Sequence, residues 1–302
     1  MKKELIIMLY SIKGVGGISL LKLLLTPQMQ NIQTLQELKK VDFSKVVKDD
    51  LAQFIKQNCT NKNYKKAKEM LEYCKKNQIE VISYFDKEYP QKLKDGTNPP
   101  PLLFAKGDIS LLHTQTIAVI GTRKATPIGK ENAKKTTNFL AKSGYTILSG
   151  LAFGIDKIAH KETLRLNKQT IAVLPLIDTI YPKQNKDLVD EILQKGGLLV
   201  SENMPNTPFR SYQLVQRDRI QSALSDSVFV IETTKDGGSM YATLDAIKHK
   251  KDVYIPDIKK LHTIYQNAPQ VEGLKFLKKQ YQIKSYDVND IENILSHLKV
   301  SL

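Results

Sequence analysis

From residue 116 onward the chain repeats one pattern, in which a short, continuous apolar run is followed by a segment that can form a helix. Strands that are apolar along their whole length are buried on both faces, and strands that alternate with helices pair in parallel. The repetition therefore predicts an α/β domain with a Rossmann-like, doubly wound, mostly parallel sheet. The six runs are TIAVIG at 116–121, YTILSG at 145–150, TIAVLPL at 170–176, GLLVSE at 197–202, SVFVIE at 227–232 and DVYIPD at 252–257.

The first part of the chain lacks such runs. Its segment 5–25, LIIMLYSIKGVGGISLLKLLL, has apolar residues at helical spacing that Gly14, Gly16 and Gly17 interrupt. Two short helices around a glycine turn would produce this pattern. The turn is either a plain helix–helix connection or part of a helix-hairpin-helix unit, which points backbone N–H groups at a DNA phosphate. The sequence does not separate these two alternatives.

We predict that residues 1–79 form this small all-α domain and that residues 80–302 form the Rossmann-like domain. The stretch 61–76 is predicted to be a basic, amphipathic helix. The proline run 99–101 predicts an extended segment that leads into the sheet. After the sixth apolar run we expect a short helical tail and no winged helix.

The charge balance limits the partners of the chain. Lys and Arg number 46 against 31 Asp and Glu, which gives a formal net charge of +15 over 302 residues. A surplus of this size favours a polyanionic partner, either nucleic acid or an anionic membrane surface. Lysine enrichment from an AT-rich genome is the alternative explanation.

Composition disfavours several other classes of protein. Cys59 and Cys74 are the only cysteines, too few for a disulfide framework or a zinc site. The N-terminal residues lack the features of a signal peptide, and no stretch reaches the ~18 apolar residues of a membrane span. We therefore expect a cytoplasmic protein without a membrane partner.

Ligands of doubly wound sheets gather at the carboxyl ends of the strands, so the loops after the apolar runs are candidate binding segments. Their glycines let backbone amides approach a phosphate, and the helices that follow have partial positive charge at their N-termini. Several basic groups in one crevice suit a phosphate backbone better than a single small acid. The basic candidates are Arg123, Lys124, Arg217, Arg219 and Lys235.

The loops lack the fingerprints of common nucleotide-binding enzymes. Neither G-x-G-x-x-G after a strand nor G-x-x-x-x-G-K-[ST] occurs, which disfavours dinucleotide binding and a P-loop NTPase. The sequence also lacks HExxH and any clustered set of histidines and cysteines. We expect neither a cofactor nor a metal.

The second of these loops, in SGLAFGIDKIAH at 149–160, combines glycines with an acid and a histidine. Asp156 and His160 share a helix face at i, i+4, and such a pair can do general acid–base work. Structural roles are favoured because no nucleophile accompanies them. Asp156 would then cap the helix or bond the loop backbone, and His160 would be hydrogen-bonded and half-buried. Phe153 is a candidate for stacking on a nucleobase.

Six segments in this order resemble the DNA-processing protein A family, also called DprA or Smf. The family pattern runs G-[ST]-R-x-x-[ST]-x-x-G, S-G-x-A-x-G-I-D-x-x-A-H, Y-P-x-x-N-x-x-L, S-E, R-N-R-I-[IV]-x-x-L-S and E-x-x-x-x-S-G-[ST]. The chain has GTRKATPIG, SGLAFGIDKIAH, YPKQNKDL, GLLVSE, RDRIQSALS and ETTKDGGS at the corresponding places. The resemblance covers about residues 80–257.

The resemblance implies a cytoplasmic, non-catalytic protein that binds single-stranded DNA. It implies protection of incoming strands during natural transformation and help in loading a RecA-type recombinase. It also implies a SAM-like N-terminal domain and a homodimer formed through the Rossmann-like domain. The residues that match the family's anion-binding loops by position are Gly121, Thr122, Arg123, Gly150, Gly154, Arg217, Arg219, Gly238 and Ser239.

Several positions depart from the family pattern. The central residue of R-N-R is Asp218, which either adds negative charge beside the proposed phosphate contacts or aims an arginine through an ion pair. An aromatic residue expected three positions before the pair is Leu214, although Phe209 and Tyr212 lie nearby in the sequence. The segment 258–280 lacks the expected glycine and asparagine pattern. Further departures are Pro175 and Asp236.

An alternative function belongs to a different class. Related Rossmann-like scaffolds include phosphoribohydrolases that cleave nucleoside monophosphates with the glutamate of P-G-G-x-G-T-x-x-E. The corresponding stretch here is KDGGSMYAT at 235–243, with no glutamate in place. Hydrolysis is disfavoured on this basis, whereas nucleotide sensing on the same scaffold stays open.

Overall fold

The computed structural model describes residues 1–96, 98–261, 263–281 and 283–294. The chain divides into two compact units, of which the first comprises Met1–Tyr89 and Asn98–Ala105. The second comprises a short segment that starts at Pro90 and the chain from Lys106 onward. The boundary predicted at residue 80 falls inside the first unit, because the strand that follows it pairs with a later strand of the same unit.

The first unit consists mainly of helices. Its elements are α1 (Lys3–Tyr10), α2 (Gly17–Leu24), α3 (Pro27–Gln30), α4 (Leu35–Lys39), α5 (Asp49–Asn58), α6 (Asn61–Lys76), β1 (Glu80–Ser83) and β2 (Leu102–Gly107). β1 and β2 pair antiparallel, with Glu80 opposite Ala105 and Ser83 opposite Leu102. The predicted basic helix is confirmed as α6.

The predicted glycine turn joins α1 to α2. Gly14 has a φ of +88°, a conformation that favours glycine, and Gly16 is the N-cap of α2. The helix before the turn buries all residues from Leu5 to Leu9, and the helix after it buries four leucines. This geometry is compatible with both a plain connection and a helix-hairpin-helix unit.

The second unit is built on parallel strands. Its elements are α7 (Gln91–Lys94), β3 (Thr116–Ile120), α8 (Pro127–Lys142), β4 (Thr146–Ser149), α9 (Ile155–Arg165), β5 (Thr170–Val173), α10 (Lys186–Gln194), β6 (Leu198–Ser201), α11 (Tyr212–Leu224), β7 (Ser227–Val230), α12 (Ser239–Lys248), β8 (Asp252–Pro256), α13 (Thr263–Gln266), α14 (Pro269–Gln280) and β9 (Lys284–Tyr286). The strand order is β6-β5-β4-β3-β7-β8-β9, and every neighbouring pair is parallel.

This topology confirms the predicted Rossmann-like sheet, and each of the six apolar runs forms a strand. The strands β3, β5, β6 and β7 are buried along their whole length, as continuous apolar runs require. β9 is an additional parallel strand that lies beyond the predicted ones, in the region expected to be a helical tail. In the residues that the structure describes, no helix has the length and apolar composition needed to cross a bilayer.

Candidate nucleic-acid interface

A cleft opens at the carboxyl ends of the central strands. The chain adds β4, β5 and β6 on one side of β3 and then returns to place β7 on the other side. Doubly wound sheets bind ligands at such a reversal of strand order. The cleft encloses about 620 Å³ and is lined by the loops after β3 and β7, by α11, and by the first residues of three helices.

The starts of these three helices make the cleft attractive to anions. Asp156 lies in the first turn of α9, Ser239 begins α12 and Pro269 begins α14, and all three residues line the cleft. The residues that precede these helices provide no side-chain cap. The start of a helix carries a partial positive charge from its aligned peptide dipoles, and this charge favours a phosphate.

The loop after β3 presents the exposed basic residues of the cleft. Arg123 and Lys124 are exposed on this loop and line the cleft. Beneath them, the Glu232 carboxylate accepts hydrogen bonds from the Thr126 backbone N–H, at 2.9 Å, and from the Thr126 hydroxyl. The Glu232 carbonyl accepts from the backbone N–H of Thr122 at 2.7 Å. Glu232, a single residue that follows β7, therefore fixes the backbone of this loop. The basic side chains of the loop stay exposed and can meet a ligand.

Gly150 and Gly154 were predicted to allow close backbone approach to a phosphate or to a neighbouring loop, and the structure has protein atoms close to both. A Cβ on Gly150 would lie 1.7 Å from Nη1 of Arg217, and a Cβ on Gly154 would lie 2.2 Å from the carbonyl oxygen of Thr122. Gly154 also has a φ of +79°. Both glycines lie outside the set of residues that line the cleft. Their geometry supports close packing between neighbouring loops.

Arg217 lies on the floor of the cleft between two carboxylates. Its Nε is 2.8 Å from Oδ1 of Asp218, and its Nη2 is 3.9 Å from Oδ2 of Asp156. Its Nη1 donates to the carbonyl of Val173 at 3.2 Å. Burial raises the pKa of Asp218 to about 6 and also raises the pKa of Asp156, although Arg217 acts in the opposite direction on both. We refer to Arg217, Asp156 and Asp218 as the buried charge cluster.

His160 is held by contacts within the protein, next to the loop that contains Gly150. Its Nε2 donates to the Gly150 carbonyl, and its Nδ1 lies 2.9 Å from the Thr170 hydroxyl. Burial lowers the pKa of the imidazole to about 4, so the ring is neutral at physiological pH. The ring is fully buried, whereas the sequence suggested a half-buried one.

Asp156 bonds the loop backbone, as one of its predicted structural roles required. Its Oδ2 accepts from the backbone N–H of Ala152 at 3.3 Å. Asp156 and His160 are thus both occupied by contacts within the protein. Among the residues that the structure describes, no group of three or more His, Cys, Asp and Glu side chains is placed to hold a metal ion.

Two of the predicted basic residues lie outside the cleft lining. Arg219 forms an ion pair with Glu202, which is itself buried. Residues two apart on a helix face different directions, so α11 cannot present both Arg217 and Arg219 to one site. Lys235 places its Nζ 5.4 Å from the ring centroid of Phe276. Seven of the other predicted residues do line the cleft: Gly121, Thr122, Arg123, Lys124, Arg217, Gly238 and Ser239.

Phe153 lines a narrow, mainly apolar slot beside the cleft. Phe153 is 40% exposed, and Tyr181, which lines the same slot, is 43% exposed. Arg123 and Arg217 line both the slot and the cleft. The ring of Tyr181 stacks on Phe209, with centroids 4.8 Å apart. Exposed rings next to basic groups are typical of surfaces that bind unpaired nucleotides.

Sequence reasoning missed the wall of the cleft that α14 provides. Pro269 and Gln270 line the cleft, and the Gln270 side chain donates to the Lys124 carbonyl at 3.2 Å. Gly273 allows α14 to lie this close to the loop after β7. Its N–H donates to the Thr233 carbonyl at 2.9 Å, and a Cβ at this position would lie only 2.4 Å from that oxygen. The available signal was a glycine inside a helix, which costs about 1 kcal/mol relative to alanine and so indicates a packing reason.

Comparison with known proteins agrees with this arrangement. The family model described as DNA recombination-mediator protein A matches residues 58–296. The chain belongs to this family. Protein Smf of Borreliella burgdorferi is 34% identical over 215 residues, which cover 68% of this chain and 68% of that protein. The resemblance drawn from the six ordered segments is confirmed.

Two solved structures of DNA processing protein A are similar to this chain. The X-ray structure of the Streptococcus pneumoniae protein matches with a TM-score of 0.78 at 26% identity, over 97% of this chain and 98% of that one. The Helicobacter pylori protein, whose structure concerns its single-stranded DNA binding mode, matches with a TM-score of 0.63 at 29% identity. That match covers 73% of this chain and 96% of the other. The chain therefore belongs to the recombination-mediator family and has the Rossmann-like fold of the solved DNA processing protein A structures.

Proposed function

We propose that this member of the recombination-mediator family binds single-stranded DNA through the cleft. The observation that carries the proposal is the convergence of Arg123 and Lys124 with the starts of three helices in one cleft. Charged side chains and the partial positive charge at helix starts together suit several phosphates of a nucleic-acid backbone. The Helicobacter pylori relative, described for its single-stranded DNA binding mode, supports the same ligand.

The slot beside the cleft supports a preference for single strands over duplex. Unpaired bases can stack on exposed rings such as Phe153 and Tyr181, whereas paired bases are covered by their neighbours. The exposed Arg123, which lines both the slot and the cleft, would keep the phosphate of the same nucleotide near its stacked base. We therefore expect base contacts without strong sequence preference.

We extend the proposal to the roles that the family resemblance implies. The protein would act in the cytoplasm as a homodimer, protect incoming strands in natural transformation and help to load a RecA-type recombinase. It would act without catalysis. The internal contacts of Asp156 and His160 support this last point, because a general acid or base must be able to reach its substrate.

Replacement of the exposed arginine tests the proposal. Arg123→Ala should weaken binding of a single-stranded oligonucleotide by about tenfold, since it removes one charge-assisted contact to phosphate. Fluorescence anisotropy with matched single-stranded and duplex oligonucleotides measures both affinities. Lys130→Ala removes an exposed positive charge on α8, outside the cleft lining, and serves as the control.

The outcomes separate the candidate functions. Equal binding of single strand and duplex by the wild-type protein would contradict the proposal. Equal losses in Arg123→Ala and Lys130→Ala would contradict the cleft as the binding site. Tight binding of a mononucleotide without strand binding would support the nucleotide-sensing alternative.

A further inference from the structure

The floor of the cleft carries the opposite charge to its exposed loop. The buried charge cluster combines one arginine with two carboxylates, so it has a net negative charge when both acids are ionised. Arg123 and Lys124 supply two positive charges on the loop above. A phosphate that enters the cleft therefore meets attraction from the loop and repulsion from the floor.

Arg217 cannot offset this repulsion by turning to a ligand. Each nitrogen of its guanidinium lies near a protein oxygen, on Asp218, Val173 or Asp156. The space above Nη1 is closed by the backbone at Gly150, and the side chain is only 8% exposed. If the arginine left this place, two buried carboxylates would lose their counter-charge, which is strongly unfavourable.

Asp218 is the member of the cluster on which the charge of the floor depends. It lines the cleft, and its Oδ1 accepts from the Gln221 side chain at 2.9 Å. The charged groups that act on it are Arg217 from its own helix, Asp156 from α9 and Arg123 from the loop after β3. Arg217 and Gln221 hold the carboxylate in place, so its charge stays at the floor when a ligand binds.

We propose that Asp218 limits the affinity of the cleft for the phosphates of a single strand, and that neutralising this carboxylate strengthens binding. This inference rests on the proposed function. It assigns to Asp218 a role that opposes Arg123 and Lys124 within one site. A cleft with this opposition releases a strand more readily than one lined by basic groups alone.

The same arrangement makes strand binding dependent on pH. Burial raises the pKa of Asp218 to about 6, so the carboxyl gains a proton as the pH falls from neutral through this value. The proton removes a negative charge from the floor, and binding should strengthen. Asp156, whose pKa burial also raises, would act in the same direction. His160 stays neutral down to about pH 4 and does not contribute in this range.

The decisive variant is Asp218→Asn, which keeps the shape of the side chain and removes its charge. At pH 7.5 and fixed ionic strength, it should bind a thymidine oligonucleotide on the order of tenfold more tightly than the wild-type protein. The wild-type protein should gain affinity between pH 7.5 and pH 5.5, and the variant should gain less. Asp190→Asn makes the same charge change at an exposed position on α10 and should leave affinity unchanged.

Both the variant and the wild-type protein can contradict the inference about Asp218. A folded Asp218→Asn variant that binds no more tightly than wild type at pH 7.5 overturns the inference. If circular dichroism shows that the variant does not fold, the wild-type comparison decides, and equal affinities at the two pH values overturn it. If the wild-type protein binds no single strand at either pH in low salt, the proposed function itself fails.

Discussion

At the scale of single residues, burial makes two groups near the cleft respond to acid in opposite ways. The pKa of His160 falls from 6.5 to about 4, so its contribution to stability is present above pH 6.5 and is lost as the pH drops toward 4. The pKa of Asp218 rises from 3.8 to about 6, so the folded state is disfavoured while this acid is ionised. The folded state therefore takes up this proton before the unfolded state does, and Asp218 raises the free energy of unfolding as the pH falls from 6 toward 4.

His160→Gln should separate these two effects. Glutamine does not titrate, so the variant should lose less stability than wild type between pH 6.5 and pH 4.5. At pH 7.5 its free energy of unfolding should be lower by about 1–3 kcal/mol, because a buried hydrogen-bonded ring is replaced. Urea denaturation at several pH values measures both changes. A variant with the wild-type pH dependence would show that the buried ring does not stay neutral.

The roles of single residues could be predicted from the sequence where they depend on near neighbours in the chain. Asp156 was expected either to cap its helix or to bond its own loop, and it accepts from the backbone N–H of Ala152 in that loop. Ion pairs across the fold could not be predicted, because Glu202 meets Arg219 only after α11 has packed against the sheet. The spacing of Arg217 and Arg219 was nevertheless informative, since residues two apart diverge on a helix.

At the scale of elements, the cleft is assembled from strand ends and helix starts. The six buried strands could be predicted because a strand covered on both faces needs apolar residues throughout. β9 could not, because Lys284 and Ser285 are exposed and only Tyr286 is buried. The place of α14 against the cleft depends on one close approach at Gly273, which apolar periodicity does not reveal.

Gly273→Ala should move α14 away from the loop after β7. The added Cβ would lie 2.4 Å from a backbone oxygen, so the helix has to shift and the free energy of unfolding should fall by about 1–3 kcal/mol. Because Gln270 on this helix bonds the loop of Lys124, affinity for a single strand should also fall. Thermal unfolding and anisotropy measure the two effects.

Gly16→Ala is the matched control for this substitution. Among the described residues, a Cβ on Gly16 would meet no atom within 4 Å apart from its own neighbours in the chain, and the φ of −76° at this position suits any residue. We expect only a small loss of stability from the change at this N-cap. If Gly273→Ala were as stable as Gly16→Ala and bound DNA normally, α14 would not be a necessary wall of the cleft.

At the scale of the whole molecule, the net charge of +15 can attract DNA without any cleft. The salt dependence of affinity separates the two sources, because the logarithm of affinity falls by about 0.7 per logarithm of salt for each phosphate neutralised on a single strand. Arg123→Ala should therefore reduce this slope by about 0.7. A slope that Arg123→Ala leaves unchanged would indicate binding by the general surface charge.

The close approach of Arg217 to Gly150 also restricts how related sequences can vary. The volume that a Cβ would fill at residue 150 is already occupied by the arginine's Nη1, so a larger residue at position 150 requires a compensating substitution at position 217. A relative with alanine or serine in place of the glycine would need a shorter side chain in place of the arginine and a displaced Asp156 carboxylate, whose Oδ2 would lie 2.5 Å from the added Cβ. The two positions lie far apart in the chain, and their covariation among relatives would be an evolutionary trace of the packing beneath the cleft.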